Sequence, residues 1–95
     1  MECDITIELR FKTTTEGGRK NSIIGGVYSC PMLIDGEAFE CRLYFENKTI
    51  QLGESYVVNV KFMNPDIVLP KLAIGKRVAL WEGKIVGDGN VIKIL

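Results

Sequence analysis

A chain of 95 residues is the size of a single domain, 1–95, and a chain of that size buries roughly two thirds of the surface its unfolded form exposes. Its 12 Lys+Arg balance 12 Asp+Glu, so no overall field draws it toward nucleic acid or anionic lipid, and any polyanion site has to be local. Histidine is absent, which removes histidine-activated nucleophiles, histidine zinc sites and the common metalloprotease motif, and no apolar run approaches the length of a membrane span.

From Cys3 to Thr13 apolar and polar residues alternate without a break. Cys3, Ile5, Ile7, Leu9 and Phe11 take one face and Asp4, Thr6, Glu8, Arg10 and Lys12 the other, which predicts a half-buried antiparallel strand. The polar stretch from Thr14 to Asn21 follows as a connecting loop. Its Gly17-Gly18 pair lacks the Gly-Lys-Ser/Thr and the following helix of a phosphate-binding loop. Ile23-Ile24 and Val27-Tyr28, separated by Gly25-Gly26, predict an irregular strand broken by a bend, with Pro31 at its far end.

Asp35-Gly36 predicts a type I′ hairpin between Met32-Leu33-Ile34 and the strand from Ala38 to Phe45, in which Phe39, Cys41, Leu43 and Phe45 face the core. Turns are predicted at Asn47-Lys48 and Leu52-Gly53-Glu54. Beyond them Tyr56, Val58, Val60 and Phe62 alternate as a strand that Asn64-Pro65 stops. The segment from Pro65 to Gly75 is too proline-bounded for a central strand and too apolar for a solvated loop, so something has to cover it. Last comes a closing hairpin from Arg77 to Leu95 about a tight Glu82-Gly83 turn, in which Gly87 and Gly89 predict a bulge or a close backbone approach. No apolar spacing of three and four residues lasts long enough to predict a helix.

Three cysteines, Cys3, Cys30 and Cys41, make no Cys-x-x-Cys pair. An odd count without a signal peptide predicts free thiols and a cytoplasmic setting, and the apolar phase of Cys3 and Cys41 predicts small buried hydrophobes rather than nucleophiles.

Glu16-Gly17-Gly18-Arg19, Gly26-Val27-Tyr28, Leu52-Gly53-Glu54 and Glu82 to Gly89 stand in an order and spacing that resembles the third, C-terminal domain of elongation factor Tu, from about Ile5 to Leu95. The resemblance implies an antiparallel six-stranded closed β-barrel, and the alternation and turns lead independently to an all-β fold. It also implies contact with the T-stem backbone of transfer RNA, with Arg19, Glu82 and Gly83 at the matching positions, and a surface offered to protein partners. Trp81 stands where the family has arginine, Lys20 where it has histidine, and one glycine precedes Lys84 where the family has two. No phosphate-binding loop is present, so GTP binding is not expected.

These readings predict a non-catalytic module with no cofactor, no metal and no catalytic residue, whose partner is another protein. That partner is one the elongation factor's barrel ordinarily meets, which this chain would mimic or compete for. Exposed Trp81, Tyr28, Tyr44 and the Ile67-Val68-Leu69 run are the contact candidates, since tryptophan and tyrosine are enriched at interface hot spots. The plainer reading has Trp81 and the run capping the barrel. The alternative function is RNA binding through Arg19, Lys20 and Lys84, which a solvated polar rim explains equally.

Overall fold

The chain is described at residues 2–46 and 49–95 by a computed structural model, and these residues form eight strands, one α-helical turn and one 3-10 turn. In chain order the strands and the α-helical turn are β1 (Ile5–Phe11), β2 (Ile23–Ile24), β3 (Val27–Ile34), β4 (Glu37–Tyr44), β5 (Thr49–Ile50), β6 (Ser55–Phe62), α1 (Pro65–Val68), β7 (Arg77–Trp81) and β8 (Ile85–Ile94). Six of the strands close into an antiparallel barrel in the order β1-β6-β4-β3-β7-β8, with β8 returning to pair with β1. Closure gives each of these six strands a neighbour on both sides, which shortens the exposed ladder that an open sheet would carry.

The period-two pattern fixes which side chains fill the interior. Ile7 and Leu9 of β1, Leu43 of β4, and Val58 and Val60 of β6 are all buried, with Phe11, Phe62, Met32 and Leu80 among the larger groups around them. Asp35 (φ 52°) and Gly36 (φ 83°) both take the left-handed conformation that a two-residue I′ turn requires, and Ile34 pairs with Glu37 across it.

Two stretches leave the strand pattern to close the ends. The connectors after β1 and after β4 leave from one end of the barrel and meet there as the β2–β5 pair, whose Ile23 and Ile50 are buried. At the opposite end Asn64-Pro65 ends β6 as expected. Pro65, suited by its fixed φ to the first turn of a helix, then starts α1, and a 3-10 turn over Leu69–Lys71 continues it. Val68 is 1% exposed, and Leu69 and Leu72 pack against the core, so this segment plugs the barrel. A single turn is too short to show helical periodicity, which is why the sequence predicted none.

Three further details differ from the sequence reading. Pro31 lies inside β3 rather than at its end. β7 bonds β3 only at Met32 and Leu33, so the missing N–H of Pro31 deprives no neighbour. Cys3 precedes β1 and is half-exposed, outside the barrel, whereas Cys30 and Cys41 are buried register partners in β3 and β4. The β7–β8 connection has three residues, Glu82 to Lys84, between the paired Trp81 and Ile85, because Val86 is an extra residue bulged out of register. The predicted Asn47-Lys48 turn lies outside the described residues.

Gly87 and Gly89 are glycines because β8 runs hard against β1. A Cβ on Gly87 would come within 3.0 Å of the Arg10 carbonyl oxygen, and one on Gly89 would collide with the carbonyl of Glu8.

Candidate functional site

The loop after β1 is built to deliver Arg19 across the end of the barrel. Glu16 folds back so that its carboxylate accepts the Thr13 backbone N–H at 2.8 Å and an Arg10 guanidinium N–H at 2.9 Å. Gly17 then takes a positive φ of 88°, and Gly18 lies against the backbone of Lys12, where a side chain has no room. The Thr14 hydroxyl donates to the Arg19 carbonyl at 2.7 Å, fixing the point where the arginine leaves the loop.

Arg19 is spent on its own protein. One terminal nitrogen donates to the Glu82 carboxylate at 2.6 Å and to the Tyr28 hydroxyl at 3.0 Å, while its Nε donates to the Asn21 carbonyl at 3.3 Å. The guanidinium carbon also lies 5.1 Å from the centre of the Tyr28 ring, which in turn packs edge-on against Phe11 at 5.9 Å. The cluster ties a loop near the start of the chain to the β7–β8 hairpin. Tyr28, expected as an exposed contact residue, is half-buried within it; Tyr44 is half-buried too.

The candidate residues therefore fall at two ends of the barrel. Arg19, Lys20, Trp81, Glu82, Gly83 and Lys84 gather at the hairpin end, where Gly83 takes a φ of 76° and the Glu82 N–H donates to the Lys84 carbonyl at 2.8 Å. Ile67, Val68 and Leu69 lie at the opposite end: Ile67 is exposed, Val68 is inside, and Leu69 is half-buried. Lys20 and Lys84 are exposed and have no ion-pair partner among the described residues.

On the outer face beside the hairpin, Trp81 is 39% exposed and Ile85, its register partner, 43%. Leu33 and Ala79, paired across β3 and β7, are half-buried and carry the apolar strip further along the same face. Ile85 was missed in the sequence, where it read as one more apolar residue of a closing strand. Only the bulge at Val86 turns it outward beside Trp81.

Cys41 and Cys3 are both held toward the thiol form. Cys41 donates to the Cys30 carbonyl at 3.3 Å, and its contact with Cys30, followed by burial, pushes its pKa up, away from thiolate. Burial and then Asp4 raise that of Cys3. Among the described residues no group of three or more Cys, Asp or Glu side chains stands together as a metal site, and no helix is long and apolar enough to cross a membrane.

Glu16 makes the loop sensitive to acid. Its hydrogen bond from the Thr13 backbone, then that from Arg10, lowers its pKa from 4.5 to about 2. A carboxyl held lower in the folded state than in the unfolded one adds stability above its unfolded pKa and loses it as pH falls toward the folded one. Thermal melts of the wild type and Glu16→Gln should differ by a constant amount at neutral pH, and that difference should shrink between pH 4.5 and about 2. A difference independent of pH would show that the carboxylate does not hold the loop.

The chain matches no family model and no curated protein.

Proposed function

We propose that the chain is a non-catalytic docking module that binds another protein through the outer face of the β7–β8 hairpin. The observation that carries this reading is the pairing of Trp81 with Ile85, two large apolar side chains exposed side by side and continued by Ala79 and Leu33. A tryptophan held on a hydrogen-bonded barrel strand can fill a partner's pocket, as interface anchors do. The resemblance to the third domain of elongation factor Tu gives the reading a direction: the partner is a protein that meets that barrel, for which this chain competes.

The RNA alternative is weakened by Arg19. Its closest ion pair is with Glu82, its side chain is 24% exposed, and a phosphate would have to displace an intramolecular carboxylate to reach it. Lys20 and Lys84 alone supply too little charge for tight, salt-resistant binding.

The test is affinity capture by wild type, Trp81→Ala and the double variant Lys20→Gln/Lys84→Gln, before and after RNA digestion, with a melting curve for each. Trp81→Ala should melt near the wild type and weaken capture roughly thirtyfold, the effect of losing a hot-spot residue. Capture should survive nuclease. Capture that is abolished by nuclease and by the lysine variant, but kept by Trp81→Ala, would replace protein docking with RNA binding.

A further inference from the structure

A second surface lies on the outer face of β3, β4 and β6 and shares no residue with the Arg19–Glu82 end or the Trp81 strip. It is a groove of about 430 Å³, and Ser29, Glu40, Arg42, Lys61, Met63 and Pro65 line it. Its volume falls within the roughly 300–1,000 Å³ typical of small-ligand pockets.

Arg42 and Lys61 are register partners across β4 and β6, so two cations stand directly opposite one another on the same face. Like charges so placed destabilise a ladder, and a sheet face free of other demands would pair one of them with an acid. Arg42 lacks a local counter-charge and Lys61 has only a loose one. Arg42 makes no ion pair among the described residues, and Lys61 reaches only Asp4, at a distant 4.0 Å. Glu40, two residues before Arg42 on the same strand, is exposed and makes no ion pair with either of them. Met63, 68% exposed, and Pro65 add apolar surface where the chain turns toward α1.

We propose that this groove binds a small organic anion, a compact phosphate or carboxylate group carried on an apolar body. The anionic head sits between Arg42, whose guanidinium matches the two oxygens of either group, and the Lys61 ammonium, and it relieves the repulsion between them. The body lies against Met63 and Pro65, where burial of its apolar surface adds affinity that a bare inorganic ion cannot gain. Glu40 opposes the head and so sets an upper limit on affinity for purely anionic ligands. The site is independent of the protein-docking face, and neither stands or falls with the other.

Phenyl phosphate, benzoate and inorganic phosphate, each titrated into the isotope-labelled full chain and followed by amide chemical shifts, test the proposal. Saturable shifts confined to the neighbourhoods of Ser29, Arg42, Lys61 and Met63 are expected, with phenyl phosphate binding roughly tenfold more tightly than inorganic phosphate. Saturation by phenyl phosphate or benzoate alone would assign the head group within the proposed class. Arg42→Gln should lower affinity roughly tenfold or more without lowering the melting temperature, since it also removes the like-charge pair. Glu40→Gln should tighten binding. Shifts that fail to saturate, that spread over lysines and arginines elsewhere, or that persist unchanged in Arg42→Gln would overturn the site.

Discussion

Val68→Asp is expected to abolish folding, while Ile67→Asp, one residue earlier in the same apolar run, is expected to leave the melting temperature almost unchanged. Val68 is 1% exposed at the plugged end of the barrel, whereas Ile67 is 60% exposed. An aspartate at position 68 would be buried among apolar side chains without a cation. Burying such a charge costs at least several kcal/mol, comparable to the roughly 5–15 kcal/mol that holds a domain folded. A surface change such as Ile67→Asp stays within about 0.5 kcal/mol. Circular dichroism melts of the two variants decide the matter. Both melting near the wild type would mean that α1 covers nothing and that the run is free to meet a partner. Two adjacent residues thus separate a buried plug from an exposed surface.

The second large effect is expected at Gly89. Gly89→Ala would drive a methyl group into the Glu8 carbonyl of β1, a backbone group that cannot rotate away, so β8 has to move off the barrel wall. Overpacking of this kind costs about 3 kcal/mol or more, which for a domain of this size lowers the melting temperature by roughly 10–20 °C. Gly36→Ala is the matched control. It meets nothing within 4 Å but sits at a φ of 83°, so it carries only the left-handed strain of about 1–2 kcal/mol. Thermal melts of the two alanine variants compare a steric wall with a torsional penalty. Equal losses would show that β8 and β1 are not in the close contact described.

What could be read in the sequence was what depends on near neighbours. Ile7, Leu9, Leu43, Val58 and Val60 could be assigned to the interior from alternation alone, because one strand carries its own two-residue period. Asp35-Gly36 names its turn through the backbone torsions those two residues tolerate. Contacts between distant parts of the chain were not legible. Arg19 and Glu82 are 63 positions apart and meet only because the barrel brings their two loops to one end. Arg42 and Lys61 each occupy a polar position in an alternating strand. Their opposition depends on the β4–β6 register, which no local pattern of either strand encodes. Val68 was foreseen only as one of three residues needing cover, since a single helical turn leaves no periodic trace of which residue turns in.

The pairing of β1 with β8 and β6 has a consequence for how the barrel assembles. β1 has no hairpin partner: Ile5 aligns with Val60 on one side and Ile94 on the other, each far along the chain. Its apolar row of Ile5, Ile7, Leu9 and Phe11 gains shelter only after long loops have closed, and the entropy of that closure precedes any gain from contact. Assembly is thus a late, collective step of high contact order. The β3–β4 and β7–β8 hairpins are the parts able to form early, and the seam at β1 is where an unfinished barrel stays sticky longest.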